Sequence, residues 1–151
     1  MHPFDLKSVL LAKHAQHVVL VHFPIALFIT GVAFDLAGRW TRRATLAAAG
    51  YFNILVAAAF VVPVLASGVL AWQLQLDGQK LKGVLLLHLA LGCSSGLLIC
   101  LVAWLQIRRR RVNGNEFPGV YLPLELLTVA VVALIGHLGG FLSGVNISSP
   151  G

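Results

Sequence analysis

Polar residues are so sparse along this chain that they divide it into four apolar runs, at roughly 17–36, 44–72, 83–107 and 120–144. Each reaches the length of about 20 residues that crosses about 30 Å of hydrocarbon at a rise of about 1.5 Å per residue. The pattern predicts an all-α fold: one integral membrane four-helix bundle over residues 17–144, with exterior tails at 1–16 and 145–151. Proline interrupts two of the runs. The ring of Pro24 cannot donate a hydrogen bond and clashes with the carbonyl of Leu20, so the first helix is expected to kink beside His22 or to begin there. Pro63 predicts a kink in the second run, which is the longest.

Composition supports the same class. Hydrophobic residues make up 58% of the 151 and charged residues only 11%, with a mean hydropathy of +0.89, whereas soluble domains carry about a quarter charged residues. The basic residues carry directional information. All seven arginines fall in two connections, Arg39, Arg42 and Arg43 after the first helix and Arg108 to Arg111 after the third. Cytoplasmic retention of positive charge places those connections inside, and both termini on the exterior, the periplasmic side of a bacterial inner membrane. The four lysines, Lys7, Lys13, Lys80 and Lys82, lie opposite and are outweighed. Trp40, Trp72, Trp104 and Tyr121 fall near helix ends, as interfacial anchors do. The Arg108–Arg111 run is read as a topology signal, with anionic lipid head groups as its sharper use. No convincing cleavage site follows the first run, so it is expected to be a retained helix rather than a signal peptide. Cys93 and Cys100 stand about 10 Å apart along one helix, too far for a disulfide, and are read as packing residues.

Histidine placement is the most informative feature. Of the six histidines, His22, His88 and His137 are internal to predicted helices. His22 lies five residues beyond His17, His88 five beyond Gly83, and His137 seven before Gly144, so each sits about 7–11 Å from the same exterior surface. His17 lies just above them, and the opposite half of the bundle contains none. An imidazole in hydrocarbon needs a hydrogen bond, a metal or a wet cavity to replace its lost hydration. Small residues accompany the layer: His88, Gly92 and Gly96 share one helical face, and Gly136, Gly140 and Gly144 share another beside His137. A face without side chains admits either a flat macrocycle or a neighbouring helix backbone, and the second is the commoner cause.

The layer suits a metal or haem site, with a quinone or proton site and a structural cluster as alternatives. Haem is favoured over zinc or copper, because carboxylates and thiolates are missing from the layer while two facing imidazoles suit b-type haem in a helical bundle. Covalent c-type haem is excluded, since no C-x-x-C-H occurs. Elsewhere, Asp35 and Glu125 fall near the arginine-bearing ends of the first and fourth helices. Pairing with arginine is the expected explanation, and a proton pathway including Asn53 and Thr128 the sharper one.

The stretch "HVVLVHFPIAL" resembles a family of bacterial membrane domains known as domain of unknown function 2231. The shared pattern is His-x-x-x-x-His-Phe-Pro-Ile, here His17, His22, Phe23, Pro24 and Ile25, followed by an aspartate near the helix end, here Asp35. A histidine early in the third helix corresponds to His88, and a late Gly-Gly motif appears as "GHLGGFLSG". Two departures stand out: Val18 replaces a common proline, and His137 is not general, which suggests a haem-binding subset. Related domains joined to cytochrome c modules imply an electron-transfer setting.

The functional expectation is a cytochrome b-like electron-transfer subunit of a respiratory complex. Haem b, one or two copies, would be held by a pair drawn from His22, His88 and His137, with His17 as a fourth candidate ligand and Gly92, Gly96 and Gly140 as the floor of the site. Expected partners are membrane lipid, other subunits of a redox complex, a periplasmic cytochrome c or oxidoreductase, and quinone. The competing expectation is a cofactor-free anchor or assembly subunit. A small transporter is disfavoured by the missing inverted repeat. A soluble-type enzyme is disfavoured because no nucleophile, base and orienter grouping occurs. Nucleic-acid binding is disfavoured because the net charge of +6 comes from residues flanking the membrane.

Overall fold

The computed structural model describes residues 15–75, 80–111 and 119–142. They form four helices: α1 (Ala15–Thr41), α2 (Ala44–Gln75), α3 (Gly83–Arg111) and α4 (Tyr121–Leu142). All four are long and apolar enough to cross a membrane, and no strand occurs among the described residues. The protein is therefore a multi-pass membrane protein in contact with lipid. Residues 1–14 of the expected exterior tail, with His2 and His14, the expected tail 145–151, and Gly144 at the expected end of the bundle lie outside the described residues.

Two differences from the sequence-based expectation matter. First, α1 continues past residue 36 to Thr41, which makes Arg39 and Trp40 helical rather than parts of a connection. Arg42, with φ 55°, then turns the chain in the left-handed region, and α2 begins two residues later. Second, α1 does not begin beside His22: it starts at Ala15, and Pro24 is buried inside the helical segment. A proline forfeits one backbone hydrogen bond, and packing against a neighbouring helix can keep the helix intact around it.

Neighbouring helices run antiparallel. In lipid, helix association draws on close packing rather than on expulsion of water, so small residues decide which helices approach most closely. α1 and α2 pack most intimately. A Cβ on Gly38 would stand 2.7 Å from the backbone nitrogen of Ala47, and one on Gly50 would stand 2.8 Å from both Asp35 N and Gly31 O. Above this seam, the rings of Phe23 and Phe60 stack at 5.0 Å with a 7° interplanar angle. The core between the helices includes Phe28, Val32, Ile54, Val102 and Val132. α3 meets α2 where Val61 covers Gly96 and meets α4 where Ile135 covers Gly92. The α1–α4 contact is the sparsest of the four neighbouring pairs.

The helices differ in reach. At 32 residues α2 is about 48 Å long, whereas α4 at 22 residues is about 33 Å. Trp40 is 91% exposed and Trp104 51%, and the Arg108 guanidinium lies 5.3 Å over the Trp104 ring. Both tryptophans fit interfacial anchoring. Tyr121 does not: it is buried, because α4 starts inside the bundle and turns this ring inward.

The seam predicts a graded response. Gly50→Ala is expected to destabilise the bundle by about 1–3 kcal/mol, since its new methyl meets fixed backbone atoms. Gly92→Ala should cost less, because the tip of Ile135, 3.1 Å from the added atom, can move. Reversible unfolding in mixed detergent micelles would compare the two. Equal losses would contradict the proposed seam.

Candidate functional site

Polar side chains inside the bundle gather at its two ends. One end carries the histidines, on the first turns of α1 and α3 and toward the end of α4; the other carries the arginines and two buried carboxylates.

At the histidine end, the structure divides the predicted residues into two groups. His17 and His88 are half-buried. The Nδ1 atom of His17 lies 2.9 Å from the Ser67 hydroxyl on α2, whose own proton goes to the Val64 carbonyl at 2.8 Å. With the Ser67 proton so directed, the His17 Nδ1–H is the donor and Nε2 carries the lone pair. Gly68 makes room for this ring: a Cβ there would lie 3.1 Å from His17 Cε1. His88 on α3 rests against α4 in the same way, with a Cβ on Gly139 falling 3.4 Å from its Cε1. Its Nδ1 is buried with no hydrogen-bond partner. His17 and His88 thus stand at the same end of the bundle, one on α1 against α2 and the other on α3 against α4.

His22 and His137 are exposed on the bundle surface. The Nδ1–H of His22 donates to the Val18 carbonyl one turn back in its own helix. Gly92 and Gly96 have Ile135 and Val61 packed over them, so both act as helix contacts in this structure. Gly140 is half-buried on α4. Among the described residues, no three His, Cys, Asp or Glu side chains are grouped to hold a metal ion. Bis-imidazole haem ligation needs only two. Ser67, Gly68 and Gly139 were not anticipated from the sequence. The Ser-Gly pair and the doubled glycine are visible there, but only helix packing shows which histidine each one meets.

At the opposite end, Arg39 joins two helices. Its guanidinium bonds to Asp35 Oδ2 through Nη2 and, at 3.0 Å, through Nε. Nη2 also reaches Glu125 Oε2 on α4 at 2.9 Å. Asp35 is 1% exposed and Glu125 0%. The expected pairing with arginine is therefore present, but it lies within the protein rather than on its surface. The guanidinium also lies 4.9 Å from the Tyr121 ring centroid, and Gln106 on α3 is buried as well. Asn53 and Thr128 bond to carbonyls in their own helices, Ala49 at 2.9 Å and Leu124 at 2.7 Å. Gln106 was not anticipated from the sequence and Tyr121 was expected as an interfacial anchor, since positions beside long apolar runs resemble ordinary interfacial placement.

A four-helix membrane bundle with a histidine neighbourhood at one end and a buried carboxylate–arginine cluster at the other is the class of protein these features define. The chain belongs to the family described as predicted membrane protein DUF2231, whose model matches residues 13–145. No curated protein and no solved structure matches it.

Removing the cation should expose the cost of the carboxylates. Arg39→Ala is expected to destabilise the fold by about 3 kcal/mol, because two buried acids would lose their common partner. Arg39→Lys should recover only part of this, since an ammonium cannot donate in the same fork. Denaturant or detergent titration followed by circular dichroism would test the order. Wild-type stability in Arg39→Ala would show that the cluster does not hold α1 to α4.

Proposed function

We propose that this protein is an electron-transfer subunit of cytochrome b type in a bacterial inner membrane, with haem b held near the exterior face. The observation that carries the reading is the placement of His17 and His88 at one end of the bundle. Their rings come from different helices, each lies against a glycine of a third or fourth helix, and His88 has a buried nitrogen without a partner.

The residues fit the group. Both candidate ligands are imidazoles, and the Ser67 contact leaves His17 Nε2 as the lone-pair atom. A hydrogen bond to the other ring nitrogen is how ligand tautomer and orientation are usually fixed. Gly68 and Gly139 keep adjacent helix surfaces low. Bound haem would supply one-electron redox chemistry. The protein would contribute the imidazoles, their orientation and an apolar surround. A site near the exterior surface suits exchange with a periplasmic cytochrome c or oxidoreductase, and with quinone from the lipid. Within this reading His22 and His137 stand outside the ligand pair.

A cofactor-free anchor or assembly subunit is the second reading. It is favoured by the exposure of His22 and His137 and by the carbonyl bond that already satisfies one His22 nitrogen.

Protein purified from haem-replete cells should give a b-type reduced-minus-oxidised spectrum and release haem on acid extraction. His17→Ala and His88→Ala should each lose that spectrum while keeping wild-type helicity. His22→Ala and His137→Ala should keep it. Colourless wild-type protein would reject the electron carrier and leave the anchor.

A further inference from the structure

The carboxylate cluster at the arginine end holds more than an ion pair requires. Asp35 and Glu125 both contact the Arg39 guanidinium, each through a single oxygen, Oδ2 and Oε2. The second oxygen of Glu125, Oε1, is fully buried and makes no hydrogen bond. Nearby, Gln106 Nε2 is also buried and unbonded, on a residue only 2% exposed. Tyr121, one turn before Glu125 on α4, is buried at the same end of the bundle.

Charges on the surrounding elements can be set out helix by helix. α1 supplies Asp35 and Arg39. α4 supplies Glu125, with Tyr121 beside it. α3 supplies Gln106 and, farther out, the Arg109 guanidinium, which is close enough to interact with Asp35 electrostatically. α2 contributes no charged side chain: Asn53 turns to its own helix, and Tyr51 lies 4.0 Å beneath the Arg110 guanidinium. With both acids ionised, the contacting trio would carry one net negative charge in a water-poor interior. Desolvated charge of that kind is relieved most directly by taking up a proton.

We propose that this cluster is a proton-binding site, with Glu125 Oε1 as the atom that takes the proton and Asp35 and Arg39 as the retained ion pair. Once protonated, the Glu125 carboxyl gains an O–H to donate while keeping acceptor capacity, and the hydroxyl oxygen of the buried Tyr121 on the same helix can accept that proton. The proton comes from water at the arginine end, where the Arg39 side chain keeps 20% of its surface exposed. No electron or covalent step is involved. The site does not depend on whether the histidine end binds haem.

Infrared difference spectroscopy on the full chain in lipid vesicles tests the proposal. The wild type should show a protonated-carboxyl C=O band that responds to bulk pH, shifts in deuterium oxide and shifts again on ¹³C-glutamate labelling. Glu125→Gln should abolish the band. Glu116→Gln, which removes the only other glutamate of the sequence, should leave it unchanged. A band that ignores glutamate labelling, disappears in Glu116→Gln or never forms across the pH range would overturn the assignment. Should Glu125→Gln fail to fold, the labelled wild type and Glu116→Gln still decide between glutamates and aspartates. Loss of haem absorbance in histidine variants would leave this result untouched, so the two proposals fail separately.

Discussion

One guanidinium sets the arrangement of this bundle. Arg39 bonds to an aspartate one turn back on α1 and to a glutamate on α4, and so ties together the two helices with the least other contact. Lipid offers no solvent that could carry either carboxylate alone, so dissociating α1 from α4 means stranding charge. The bond thereby fixes the axial register of α4 against α1. The glycine seam does the complementary work between α1 and α2, through shape rather than charge. Together they make α1 the reference helix against which the others are placed.

That register has consequences at the other end of the helices. Because the bundle is antiparallel, anchoring the last turns of α1 beside the first turns of α4 fixes the distal segments as well. The first turns of α1 lie against the last third of α2, which brings His17 to Ser67 and Gly68. Those of α3 lie against the last turns of α4, which brings His88 to Gly139. Charged and imidazole groups thus lie toward the two poles, with an apolar middle of Phe28, Val32, Ile54 and Val132 between them. Electron exchange and proton binding, if both operate, use opposite ends of one molecule.

The helices were legible because apolar runs of this length have few alternatives in a membrane protein. Their number and starting points follow from hydropathy, and the family resemblance carried by the His17 to Ile25 motif agrees with the matched family. Ends were harder. Arg39 looks like a boundary residue in a linear reading, yet an i, i+4 partner at Asp35 keeps it helical and draws it inward. Counting along each helix assigned the histidines to one end of the bundle, where His17 and His88 are found. Their orientation was not readable, because a rise per residue gives height and leaves the azimuth to packing. Hence Gly92 and Gly96, which share a helical face with His88, lie beneath Val61 and Ile135, while Gly68 and Gly139 are the glycines that touch imidazole rings. Tyr121 illustrates the same limit: proximity to a helix start suggests an anchor, but the inward azimuth of that start buries it.

The unequal helices bear on how the protein sits among lipids. A segment of about 48 Å cannot stand upright in about 30 Å of hydrocarbon beside one of about 33 Å without tilting, protruding or thickening the surrounding leaflets. The shorter α4 fits the bilayer with little adjustment, so the strain of hydrophobic mismatch falls on the α2 side. Over the described residues, the α2 flank therefore offers lipid a taller apolar wall than the α4 flank does.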